Sequence, residues 1–230
     1  FFLRWFDYFI DKLIVKFVSK FITGSKSSLK TIEDKINIPR NKLFQIFNGI
    51  KPRSKDLNDN SFLNSYSINK DAVKISIVGN VEKRKGHIYL LKSLKKIVDD
   101  KFEAVPLLLI AIGKINPELN TIVDYIKDNN LQDNVIILPY EINIFNLYSV
   151  TNTLVIPSIG SEDLPNVISE AMSVGVPVIG TSIAGIPEQV IHNITGFIVK
   201  PKDHISLSSA IKDIIRNKKK RNELHHRNTL

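Results

Sequence analysis

The chain has 230 residues, 43% of them hydrophobic and 24% charged, an ordinary balance for a globular protein and room for one large domain or one and a half smaller ones. It has no cysteine, which excludes disulfides and thiolate metal sites. The formal net charge of +9 raises nucleic acid or an anionic membrane as partners, yet the lysines are spread along the chain, the pattern of a solvated surface, and no nucleic-acid partner is expected. Met172 is the single methionine, so the sequence is expected to be a piece of a longer chain.

Phe2, Phe6, Phe9 and Leu13 fall at helical spacing, with Arg4, Asp7 and Asp11 on another side, which predicts an amphipathic helix over the first dozen residues. Its aromatic stripe has two readings, a core face or, with Trp5 and the nearby lysines, a helix lying in a membrane interface. Arg4, Asp7, Asp11, Lys12, Lys16 and Lys20 interrupt the stretch too often for a spanning helix or a signal peptide. The expected location is therefore cytoplasmic, with the interfacial reading adding peripheral contact with the inner face of a membrane. Lys20–Thr23 is predicted as a short strand, Ser27 or Ser28 as the cap of a helix running to about Lys35, and Leu43–Phe47 as a strand closed by the turn signal Asn48-Gly49. Lys51–Lys70, polar and dotted with Pro, Ser, Asn and Asp, is read as a linker between one domain ending near residue 50 and a second over 71–230 that is expected to be cut short at its end.

Beyond the linker, strands and helices alternate. Ile75–Val78 is predicted as a strand, followed directly by Gly79, where a missing Cβ lets the backbone approach a ligand, and then by a helix over Ile88–Val98. The intervening sequence is neither Gly-x-Gly-x-x-Gly nor a Walker loop, which removes the usual support for nicotinamide dinucleotides and ATP. Leu107–Ile112 is a strand ending at Gly113, Leu119–Asn129 a helix, Val135–Leu138 a strand and Ile144–Ser149 a helix. Thr153–Pro157, short and uncharged, suits a strand buried on both faces. A helix follows from Pro165 or Asn166 to just before Gly175, with Ile168, Ala171 and Met172 toward the sheet and Asn166 and Glu170 sharing another face. Val178–Gly180 and Phe197–Val199 are the last strands, Gly196 is a turn, and Asp203 caps a helix marked by Leu207, Ala210, Ile211, Ile214 and Ile215. This alternation predicts the α/β class, a Rossmann-like doubly wound parallel sheet with ligand sites at the strand C-terminal ends, where Gly79, Gly113, Glu162 and Glu170 all fall. The adjacent His225 and His226 lack the spacing of a metal pair, and no metal site is expected.

The stretch from Ser158 to Glu188 carries the chemistry. Amides near Leu164, Pro165 and Asn166 lie at a helix start and favour an anion, although Pro165 itself has no N–H to give. Glu162 and Glu170, with seven residues between them, are acceptor-only groups suited to hydroxyls. An anion site beside hydroxyl acceptors fits a sugar nucleotide.

Pro157-Ser158, Glu162, Glu170-Ala171-Met172, Gly175-Val176-Pro177-Val178 and Gly185-Ile186-Pro187-Glu188 together resemble the signature of retaining glycosyltransferases of the GT-B fold, the group classed as glycosyltransferase family four. Asp163 stands where that group most often has Gly. Asn48-Gly49-Ile50 resembles the end of the family's N-terminal acceptor domain, of which residues 1–50 would be a remnant. Gly79-Asn80 and Lys85-Gly86 resemble its Gly-Arg, four residues, Lys-Gly; Asn80 occupies the Arg place, and Lys83 or Arg84 is the expected substitute cation. The resemblance implies transfer of a hexose from a nucleotide diphosphate sugar to an acceptor hydroxyl, on a glycan or a lipid-linked molecule. It gives Lys85 and Arg84 to the diphosphate, Glu170 to the ribose, Glu162 to the hexose, and the loop of Pro139, Tyr140 and Glu141 to the base. The absence of Asp-x-Asp from the sequence agrees with a metal-independent enzyme whose co-substrate is the sugar nucleotide, with no further cofactor. The competing readings are a nucleotide-sugar epimerase and a non-catalytic Rossmann-like nucleotide-binding module.

Overall fold

The computed structural model describes residues 13–36, 38–50, 60–113, 117–139, 142–160, 162–217 and 223–224. The helix expected over the first dozen residues, Tyr140, Glu141 and the His225–His226 pair lie outside them. Among the described residues there are two parallel sheets. In the smaller, β1 (Phe21–Thr23) pairs with β2 (Leu43–Gln45), and α1 (Lys26–Ile36) makes the connection between them.

The larger sheet has six strands in the order β5-β4-β3-β6-β7-β8, every neighbouring pair parallel. They are β3 (Lys74–Gly79), β4 (Leu107–Ile112), β5 (Val135–Leu138), β6 (Thr153–Ile156), β7 (Val178–Thr181) and β8 (Gly196–Val199). All four residues of β6 and of β7 are buried, as central strands covered on both faces must be. Side-chain alternation divides the core in two. Leu108 and Ile110 of β4 join Ile75 and Ile77 beneath α3 (His87–Asp99), α4 (Glu118–Asp128) and α8 (His204–Arg216), where Leu90, Leu94, Ile97, Ile211 and Ile214 are buried. Leu109 and Ala111 face the other way, toward Leu147 of α5 (Ile144–Val150). On that side Ile168 and Ala171 of α6 (Asn166–Ser173) and Ile186 of the short α7 (Ile186–Gln189) cover β6 and β7. Asp203 accepts from the amides of Ile205 and Ser206 and caps α8 as expected.

The chain leaves β3 for one face and β6 for the other, so the switch in strand order lies between them. Their register runs only through Ile75↔Thr153 and Ser76↔Leu154, after which the two strands no longer pair. The C-terminal ends of two strands at such a switch are the usual ligand position in an open α/β sheet.

Several local expectations are corrected. The stretch read as linker up to Lys70 contains a helix, α2 (Asn60–Ser65), whose Phe62 and Leu63, with Ile68 beyond it, are buried against Leu109 and Leu138. Asn48-Gly49 makes no turn, because β2 runs parallel to its partner and has no hairpin to close. The capping hydroxyl of α1 is that of Ser25, which accepts from the Ser28 amide at 3.0 Å, rather than Ser27 or Ser28. Gly196 begins β8 instead of forming a turn.

Candidate functional site

The turn after β3 is built to press against the end of β6. Gly79 has φ +139° and Gly86 φ +74°, backbone that side chains disfavour. A Cβ on Gly86 would stand 1.9 Å from the carbonyl oxygen of Pro157, so only glycine permits this approach. Between the two glycines Lys83–Lys85 forms one 3₁₀ turn, and the Ile159 amide donates to the Arg84 carbonyl at 2.7 Å, joining the turn to the loop after β6.

This junction brings the two halves of the sequence motif into contact. Lys85 Nζ lies 2.7 Å from Glu162 Oε1, and Arg84 Nη1 lies 3.2 Å from the same oxygen. The Ser158 hydroxyl donates to it at 2.9 Å. The Glu162 side chain is only 6% exposed, so these partners stand where water would otherwise be. Arg84 also holds Glu82, Nε to Oε2 at 2.7 Å. Lys83 is exposed and stands outside this group, which leaves Arg84 as the cation beside Lys85. Lys85 and Glu162, assigned by the resemblance to different parts of a ligand, are thus each other's partners here.

Asn80 fills the space that Gly113 leaves. A Cβ on Gly113 would fall 2.2 Å from Asn80 Oδ1, so the second glycine makes room for a side chain of the first loop. Asn80 Nδ2 reaches Glu82 Oε1 at 3.4 Å.

Glu170 and Asn166 sit on α6. The Tyr148 hydroxyl donates to Glu170 Oε2 at 3.0 Å from a fully buried ring. Burial, then the neighbouring Glu170 charge, pushes the Tyr148 phenol above its ordinary range, which keeps it a donor. Asn166 Oδ1 accepts from Asn48 Nδ2 at 2.8 Å, a bond from the smaller sheet's exit to the start of α6. Pro165 takes the cap position of α6 without a side-chain cap bond, and Leu164 is buried beside it. Tyr148 and Glu82 went unforeseen. Tyr148 had a faint signal, a hydroxyl on the apolar face of an otherwise uncharged helix.

The smaller sheet meets the site at the start of α1. Asp163 Oδ1 accepts from the hydroxyls of Ser25 at 2.5 Å and Ser28 at 2.7 Å. Burial raises the Asp163 carboxyl, but these hydroxyls and the amides of Gly24 and Ser25 outweigh it and hold the group below its ordinary value. Glu188 accepts from the amides of Lys26 at 2.9 Å and Ser27 at 3.0 Å. Among the described residues no three His, Asp or Glu side chains converge as a metal-binding group, and no helix is long and apolar enough to cross a membrane.

Residues 59–229 match the family described as glycosyl transferases group 1. The capsular polysaccharide biosynthesis glycosyltransferase CapM of Staphylococcus aureus is 28% identical over 231 residues, covering 97% of this chain and 59% of CapM. The N-acetyl-alpha-D-glucosaminyl L-malate synthase of Bacillus anthracis is 26% identical over 208 residues, 90% of this chain and 52% of that enzyme. The chain therefore spans about half the length of these curated relatives. Among solved structures, a glycosyltransferase from Rickettsia africae superposes with a TM-score of 0.83 at 20% identity, over 92% of this chain and 57% of that one. Anabaena Alr3699/HepE in complex with UDP and glucose gives 0.82 at 19% identity, with the same two coverages. These neighbours share the GT-B fold with the chain.

Proposed function

The chain belongs to the glycosyl transferases group 1 family, and on that premise we propose that it carries the donor-binding half of a retaining glycosyltransferase, which moves a hexose from a nucleotide diphosphate sugar to an acceptor hydroxyl. The observation that carries this reading is the 2.7 Å contact of Lys85 with Glu162 at the β3–β6 switch, where two distant motif halves meet at the usual ligand position of such a sheet. Lys85 spends one contact on Glu162 and has three N–H donors in all, so it can serve a diphosphate as well. With Arg84 and the first amides of α6 it would stabilise the charge that gathers on the diphosphate as the bond to the sugar breaks. Glu170, steadied by Tyr148, would accept from ribose hydroxyls, and Glu162 from the hexose. Gly79, Asn80 and Asn166 are proposed to face the donor, Gly113 contributes by making room for Asn80, the amides near Leu164 and Pro165 belong to the start of α6, and Tyr140 belongs to the loop proposed for the base.

The HepE structure, with UDP and glucose bound to that neighbour, supports a nucleotide-sugar donor, and the CapM likeness supports polysaccharide or glycoconjugate synthesis. The acceptor is proposed to be a glycan or lipid-linked molecule met at the inner face of a membrane. Family membership favours this reading over an epimerase or a non-catalytic module.

Calorimetry with UDP, GDP and ADP sugars in EDTA tests it. Binding of one of them without added metal is the expected result. Binding that appears only with Mg²⁺ or Mn²⁺ would overturn the metal-independent assignment, and binding of none would overturn the donor site.

A further inference from the structure

Glu162 and Asp163 are consecutive, and each is held by a different part of the molecule. Glu162 is bound by Lys85, Arg84 and Ser158 of the six-stranded unit. Asp163 is bound by Ser25 and Ser28 at the start of α1, beyond the smaller sheet's first strand. Residues 162–165 belong to no helix or strand, so no ladder of backbone bonds fixes them, and their position depends on such anchors.

From this juxtaposition we propose that Asp163 is a positioning residue, which ties the Glu162 loop to the start of α1 and so makes the placement of Glu162 against Lys85 depend on the smaller sheet. The loops around it are shaped for the contact. A Cβ on Gly24 would come within 2.8 Å of Asp163 Oδ2, and one on Gly185 within 2.1 Å of the Asp163 carbonyl oxygen, so glycine on both sides admits the aspartate and its backbone. The partner is an eleven-residue helix whose N-terminal dipole favours a carboxylate. Glu188, bound to the next two amides, brackets the same helix start and resists its withdrawal. Asp163 touches neither Lys85 nor Arg84 through any of these bonds; its effect passes through the peptide it shares with Glu162. The inference rests on the reading of Glu162 as the hexose contact.

Two measurements on the full chain separate the inference from that reading. The first needs no ligand: trace acetylation with acetic anhydride, scored by mass spectrometry as Lys85 relative to exposed Lys83. Asp163→Ala is expected to raise the relative labelling of Lys85 about fivefold, the scale of one lost hydrogen bond. Ser25→Ala/Ser28→Ala, which removes the two hydroxyls together with the Ser25 cap and leaves the Gly24 and Ser25 amides on Asp163, should act in the same direction but more weakly, and the triple variant no more than Asp163→Ala, since both changes act through the same contact. Asp163→Asn, which keeps an acceptor oxygen, should recover part of the protection. Unchanged Lys85 labelling, or effects that multiply in the triple variant, overturns the proposal. If Asp163→Ala fails to fold, the serine pair alone decides by the same criterion. The second measurement is calorimetry with UDP-glucose and UDP. The variants should weaken UDP-glucose about fivefold more than UDP, because Glu162 is read as touching only the hexose whereas Lys85 serves the diphosphate of both; equal losses on both mean a merely structural contact and overturn it. Wild-type chain that shows the labelling pattern but binds no sugar nucleotide would refute the proposed function and leave the anchor standing.

Discussion

His87, at the first position of α3, is 3% exposed, and both ring nitrogens lack a hydrogen-bond partner among the described residues. Burial, followed by the Lys85 charge, pushes its pKa from the ordinary 6.5 down to about 4, with Glu82 acting in the opposite sense. The folded chain then holds a neutral ring where the unfolded chain takes up a proton. Its contribution is present in full above pH 6.5 and is lost as the pH falls toward 4, a loss on the order of 3 kcal/mol. Urea midpoints between pH 7 and pH 4 should fall less steeply for His87→Leu than for the wild type, and parallel curves would refute the assignment. The two glutamates divide in a similar test. Glu170→Gln and Tyr148→Phe should both weaken UDP and UDP-glucose, by about 1 kcal/mol each, if Glu170 meets the ribose common to the two ligands, as proposed. Glu162→Gln should weaken UDP-glucose and leave UDP almost untouched. Four dissociation constants for the two Gln variants decide between separate and shared roles.

At the scale of single elements, Gly86 is the most exacting position. Gly86→Ala would meet both the left-handed backbone and the Pro157 carbonyl, so it should cost about 2 kcal/mol or more in denaturant unfolding and loosen the Lys85 turn. Elements of this kind were legible from the chain wherever a short uncharged run, such as Thr153–Ile156, sat between turn residues, since burial on both faces leaves that imprint. Helix α2 was not legible. Six residues give less than two turns of periodicity, and Phe62 and Leu63 lie among Asn and Ser that read as linker. The cap of α1 was misread for another reason: Ser25, Ser27 and Ser28 have equal capping propensity, and Asp163 and Glu188, far along the chain, decide among them. In the candidate site, spacing singled out the residues proposed for it, whereas the pairing of Lys85 with Glu162 and of Tyr148 with Glu170 is a product of strand order, which no local window contains.

At the scale of the whole molecule, the smaller sheet is joined to the larger through the start of α1. Glu188→Ala would leave the Lys26 and Ser27 amides without their carboxylate, at a cost of about 1 kcal/mol. The loss should be local. Hydrogen exchange is expected to quicken over residues 21–45 while the strands of the larger sheet keep their protection, and uniform quickening would mean the two sheets unfold as one.

The two-residue register between β3 and β6 also bears on how the molecule is made. Strand β3 finds β4 after a single helix, but Ile75 must wait for Thr153, on the far side of two strands and three helices, before its other edge is covered. Contacts so distant in sequence form late and slowly. During synthesis the β5-β4-β3 half can assemble first, with the edge of β3 open to other chains until β6 emerges. The hydroxyl bond between Ser76 and Thr151 lies at this seam, a polar register mark among apolar neighbours. Since the proposed donor site lies where the same seam ends, it can form only after β6 has joined β3, later than the β5-β4-β3 half.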